Sequence, residues 1–84
     1  MISQKDVSDI AEKITRRFEI ELPLEIETFT VDNENEYLYI SFHKGEISRT
    51  FELSKGLTLE FDTESRILGL KIESFVNYLP SPEA

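Results

Sequence analysis

The chain has no cysteine, no tryptophan and only three glycines and three prolines among its 84 residues. Without cysteine there is no disulfide, no thiol nucleophile and no cysteine-ligated zinc. Gly45, Gly56 and Gly69 are too few and too scattered to build a phosphate-cradling loop. Basic charge is also scarce: nine Lys and Arg stand against seventeen Asp and Glu, a formal charge of −8. Such a balance repels nucleic-acid phosphates and anionic lipid and attracts basic proteins, so neither nucleic acid nor membrane is an expected partner. No apolar run approaches membrane-spanning length, and Met1 to Asp6 lacks a charged-then-apolar leader pattern. A cytoplasmic setting is the expectation.

What is present reads as an α+β domain, an N-terminal helix packed on one face of an antiparallel meander sheet of about five strands. Residues 1–79 are expected to form the one domain and 80–84, with two prolines, a flexible tail. Ser3 and Asp6 stand as N-cap and N3 of a helix starting at Gln4, flanked by Ile2 and Val7 in the positions of a hydrophobic staple. Val7, Ile10, Ala11, Ile14 and Phe18 then repeat at helical spacing, with acids early and bases late as the helix dipole favours.

From Phe18 the period becomes two. Phe18, Ile20, Leu22, Leu24 and Ile26 alternate with polar residues until the phase slips at Thr28 and continues through Phe29 and Val31. Pro23 has no N–H to give a ladder, so this part predicts a linker or an edge strand, starting near Leu24 and kinking or bulging at Glu27 and Thr28. Further strands are expected at 37–42, 47–53, 57–61 and 66–73, separated by polar or glycine-containing turns, with a helical turn over 74–79. Alternation puts Leu38, Ile40, Phe42, Leu57, Leu59, Phe61, Leu68, Leu70 and Ile72 on the helix-covered face. Tyr37, Tyr39 and Ile67 fall on the other side or at its edge, a surface suited to a dimer or another partner.

Asp32, Glu34 and Glu36 lead into Leu38-Tyr39-Ile40, and Asp62 leads into Ile67-Leu68-Gly69-Leu70-Lys71-Ile72. In these two stretches the chain resembles the domain of unknown function 2283 family of small prokaryotic proteins, over about residues 29–75. It departs from that pattern at Ser65, where Gly is usual, and at Lys71, where Glu is usual. The resemblance implies a small β-rich fold without an established activity, and some members look like antitoxin-type partners of small toxins. The N-terminal helix is not accounted for by it.

The candidate chemistry is sparse. Glu19, Glu21, Glu25, Glu27, Asp32, Glu34 and Glu36 place seven negative charges in residues 19–36 with no Lys or Arg among them. Alternating Glu along a strand would form a carboxylate ladder for a basic peptide or a hard cation, or would simply keep an edge soluble. Asp32, Glu34 and Glu36 have the opening rhythm of a calcium loop, but Tyr37 and His43 stand where that loop needs Gly and Glu. His43, the one histidine, can be drawn beside Ser41 as a dyad, without a supporting acid or oxyanion-hole glycines. Gly69, inside a strand, marks a bulge or close packing, with the N-terminal helix or Phe75 and Tyr78 as the expected neighbour. Arg49 and Lys71 are expected on the less polar or inward side, each able to pair with a carboxylate across the sheet.

Three functional readings follow. The first is a non-enzymatic interaction module, antitoxin-like, engaging a basic protein partner through residues 19–36 with Tyr37 and Tyr39 beside them. The second is a homodimeric structural domain joined through the Tyr37 and Tyr39 face or an open edge strand. The third is a small metal-binding or hydrolytic protein using Glu side chains and His43. No cofactor is implied.

Overall fold

The computed structural model describes residues 3–23 and 25–78. The chain runs α1 (Gln4–Phe18), β1 (Thr28–Asp32), β2 (Tyr37–Ser41), β3 (Arg49–Ser54), β4 (Leu57–Phe61), β5 (Ile67–Glu73) and a 3-10 turn, η1 (Phe75–Tyr78). The fold is α+β, as the sequence predicts. Ser3 and Asp6 form the expected capping box, each side chain accepting from the other's backbone N–H. Ile2 of the predicted staple lies outside the described residues, as do Leu24, Leu79 and the predicted tail. The helix ends where Glu19 turns into the left-handed region, with φ 52° and ψ 48°.

All strand pairs are antiparallel, in the order β1-β2-β5-β4-β3. This corrects the expected consecutive meander. After β2 the chain crosses one end of the sheet to build the far edge, and β5 then inserts between β2 and β4, so strands β2 to β5 have a Greek-key arrangement. Phe42 and His43 N–H both donate to the Leu68 carbonyl at the start of that crossing, and a side chain at Gly45 would press on Leu68 at 3.1 Å. Leu68 is thus buried beneath the connection rather than in the main core.

Of the two forms predicted before Thr28, residues 20–23 and 25–27 take the linker and not the edge strand. Pairing begins at the Glu27 N–H, which donates to the Ser41 carbonyl, and β1 is regular from Thr28, without the expected kink. The phase slip has another cause: Ile20, Leu22 and Ile26 belong to an irregular segment that lays side chains against the core singly, whereas Phe29 and Val31 obey strand alternation. The sheet's irregularities lie instead between Glu52 and Ser54 and between Glu60 and Phe61.

Directly paired residues share a face of a sheet, so the registers trace two apolar rows across the strands. One is Phe29, Ile40, Leu70, Leu59 and Phe51; the other is Val31, Leu38, Ile72 and Leu57. Val7, Ile10 and Ile14 of α1 close over the middle of both and are inaccessible, with Phe75 and Phe42 completing the cluster. Ile67 packs against this core, not on the outer side where alternation placed it, because the irregularity at Glu60 and Phe61 sets it opposite Phe61. Lys13 Nζ donates to the Tyr78 carbonyl at 2.9 Å, tying the helix to η1.

Replacing Ile10 with Ala removes the helix side chain at the centre of this contact. We expect a loss of about 2–5 kcal/mol in denaturant-unfolding stability, the usual cost of truncating a fully buried Ile. A loss below about 1 kcal/mol, the range of surface substitutions, would show that the helix does not seal the sheet.

Candidate functional site

Two polar features stand out, one along the β1 edge and one on the uncovered face of the sheet. Glu19, Glu21, Glu25, Glu27, Glu34 and Glu36 are all exposed. They do not form the anticipated ladder, since residues 20–27 are irregular, but they flank β1, which is an open edge of the sheet. Glu25 and Glu27 line a groove with Pro23, Ile26, Phe42 and His43, and Glu21 lines a second with Leu22, His43 and Arg66. Among the described residues none of these six glutamates is ion-paired, and the cations that do form ion pairs form them elsewhere. Arg16 pairs with Glu12, Arg66 with Asp62 and Glu64, and Lys71 with Glu60.

Asp32 is different. Its Oδ1 accepts from the backbone N–H of Glu34 and Asn35, and its Oδ2 accepts from Asn35 Nδ2 at 2.8 Å. The Asn35 side chain, then the Asn35 and Glu34 amides, hold its carboxyl below the usual range. A carboxylate consumed by its own turn is not a spare calcium ligand. Asp62 repeats the device, with Oδ1 accepting from the Glu64 and Arg66 amides and Oδ2 from Arg66 Nε. Ser65 within that turn has φ 64°, which explains why Gly suits the position: an L-residue pays about 1–2 kcal/mol there.

His43 is exposed, and its side chain makes no hydrogen bond among the described residues, so the dyad with Ser41 is not formed. No three His, Cys, Asp or Glu side chains among the described residues are grouped closely enough to hold a metal ion.

On the uncovered face lies a group the sequence reading missed. Glu60 is 1% exposed although it sits on the side away from α1. The Tyr39 hydroxyl donates to its Oε1 at 2.6 Å, and Lys71 Nζ lies 3.5 Å from its Oε2. Tyr39 reaches Glu60 by crossing over β5 at Gly69, where a Cβ would stand 2.4 Å from the phenol oxygen. Gly69 is therefore small for Tyr39 and Glu60, not for the helix, Phe75 or Tyr78. The carboxylate pairing anticipated for Lys71 is present, but Lys71 faces outward. Among the described residues Arg49 pairs with no carboxylate: it donates to Ser65 Oγ and lies over the Phe61 ring at 5.1 Å.

Burial first, and then the hydrogen bond to anionic Glu60, push the Tyr39 phenol well above its ordinary value. Tyr37, beside Lys71 and Glu73 on the same face, is raised mainly by burial. Both tyrosines are half-buried and lie together where alternation placed them.

The protein family of unknown function DUF2283 matches residues 28–75. The chain belongs to the DUF2283 family. The matched span is the sheet from the first residue of β1 to the first of η1. α1 and Glu19, Glu21, Glu25 and Glu27 lie before the DUF2283 match, whereas Tyr39, Glu60, Gly69 and Lys71 fall inside it. Comparison with curated proteins finds no match, and comparison with solved structures finds none either.

Two outcomes follow from the Tyr39 and Glu60 pair. Tyr39→Phe leaves a buried carboxylate oxygen without its donor and should cost about 1–3 kcal/mol in denaturant unfolding. Because the folded phenol's pKa is raised, the stability tied to it is intact below the unfolded value near 10 and falls as pH climbs beyond it. The alkaline decline should therefore be shallower in Tyr39→Phe than in the parent chain. Gly69→Ala should displace the tyrosine ring, and a double-mutant cycle with Tyr39→Ala should return a coupling of about 0.5–3 kcal/mol.

Proposed function

We propose that this chain is a non-enzymatic interaction module that engages a basic protein partner through residues 19–36. The observation that supports it is the set of six exposed glutamates, unpaired among the described residues, that precede and follow the edge strand β1 in a segment without Lys or Arg. Like charges gathered on 18 residues raise the free energy of the folded chain by self-repulsion, and a cationic surface relieves that repulsion. Electrostatic complementarity of this sort acts at long range, speeding encounter and rejecting acidic competitors. The antitoxin-like role that the family resemblance implies is the specific form of this reading, with a small basic toxin as the partner.

Tyr37 and Tyr39 border the acidic edge and offer partly exposed rings for a partner's apolar contacts. Tyr39's hydroxyl is already committed to Glu60, so its contribution is the ring. The grooves around His43 extend the acidic edge by way of Glu21, Glu25 and Glu27.

Titration with a Lys- and Arg-rich peptide tests the charge recognition. Binding should weaken by about tenfold or more when salt is raised from about 50 to 500 mM, as screening demands. Joint reversal of Glu25, Glu27 and Glu34 to Lys should abolish it, while reversal of Glu46, Glu52 and Glu64 should not. Equal effects from the two sets, or binding indifferent to salt, would refute the assignment to residues 19–36.

A further inference from the structure

The core does not stop at the helix; it runs out to solvent along the far edge of the sheet. In the row Phe29, Ile40, Leu70, Leu59, Phe51, the three central residues are buried while Phe51, on β3, is 58% exposed. Ile47, just before β3, is 52% exposed. β3 is the last strand of the sheet, and no backbone hydrogen bond among the described residues reaches its outer edge. Arg49, the one cation on the strand, turns back over Phe61 towards Ser65 and leaves that edge unguarded.

Charge separates this edge from the other one. Residues 44–56 carry Lys44, Arg49 and Lys55 against Glu46 and Glu52, a net of +1, whereas residues 19–36 carry −7. A second copy of this acidic chain therefore meets least repulsion at β3.

We propose that two copies of the chain associate by antiparallel pairing of β3 with β3 about a two-fold axis at Phe51, perpendicular to the sheet. That axis keeps both helices on one side and sets Phe51 against Phe51 of the second copy, Arg49 against Leu53 and Thr50 against Glu52. No like charges stand directly opposed, whereas an axis at Glu52 would oppose two carboxylates. The irregularity between Glu52 and Ser54 leaves Arg49 to Glu52 as the regular stretch, and Phe51 lies within it. The pairing satisfies both open backbone edges and carries the apolar row unbroken through ten strands. Four strand spacings of about 4.8 Å put each acidic edge roughly 20 Å from the joint. That distance exceeds the Debye length of about 8 Å at physiological salt, so the acidic edges oppose the pairing little.

The contact is small, so the dimer is weak, and sedimentation equilibrium of the full chain at about 10 μM to 1 mM is the appropriate range. The expected result is a concentration-dependent dimer whose dissociation constant rises about tenfold or more in Phe51→Lys and in Phe51→Thr, a strand-compatible change. Tyr37→Lys, on the other face, should leave it unchanged. Added salt should leave the dimer nearly unchanged, because the acidic edges lie beyond the Debye length from the joint, whereas the same salt weakens binding of the basic peptide. The two readings thus fail separately. A monomer at about 1 mM, a Phe51→Lys chain that dimerises like the parent, or a dimer lost in Tyr37→Lys would overturn the proposal.

Discussion

One face of a five-stranded sheet must be hidden from water by a single helix of 15 residues, and most of the structure answers to that constraint. A helix of that length is about 22 Å long and about 10 Å wide, enough to seal two or three strands at their usual spacing. α1 buries the central residues on β2, β5 and β4. On the β1 side the irregular segment supplies Ile20, Leu22 and Ile26, and η1 supplies Phe75. On the β3 side nothing comparable is supplied by the described residues, and among them the apolar pattern continues there without a cover. The two edges of the sheet therefore differ in what they show to solvent: carboxylates at one, an aromatic ring at the other.

The face away from the helix obeys a different rule. With no layer above it, it must be polar, and Thr28, Thr30, Ser41, Thr50 and Thr58 make it so. At its centre Glu60 is withdrawn from water all the same. A buried charge is tolerable only with donors arranged around it, which Tyr39 and Lys71 provide from two neighbouring strands. The absent side chain at Gly69 lets the phenol cross β5 to reach its acceptor. Tyr39 thereby links β2 to β4, two strands that do not themselves pair, across the strand that separates them.

Much of this is legible in the amino-acid order, for reasons that are local. The capping box at Ser3 and Asp6, the helical stripe and the strand alternation from Leu57 to Phe61 depend on near neighbours in the chain, and each came out as the spacing says. The strand order did not, because hairpin signals specify which strands are joined by turns and say nothing of where a long connection returns. Over residues 20–27 the composition leaves strand and linker open: alternating Glu and aliphatic residues suit a strand, Pro23 does not, and the segment serves as a linker that drops single side chains onto the core. At the candidate sites, the exposure of the acidic glutamates followed from their lack of nearby cations in sequence. Glu60 carries no mark of its own in the sequence, since its burial comes with a tyrosine 21 positions away. The signal was present in Gly69, a strand glycine that in the hairpin register stands opposite a Glu.

The central place of β5 governs how the chain reaches this structure. Until Ile67 to Glu73 are in position, no backbone ladder joins the β1 and β2 hairpin to the β3 and β4 hairpin, because every ladder between the two halves passes through β5. The strand that joins them is the last of the five in chain order, so a growing polypeptide holds two unjoined hairpins with apolar faces exposed until it is almost through the sheet. Closure is then a late, long-range event of the kind that slows folding and makes it cooperative. During biosynthesis, the interval before that strand emerges is when the chain most needs protection from aggregation.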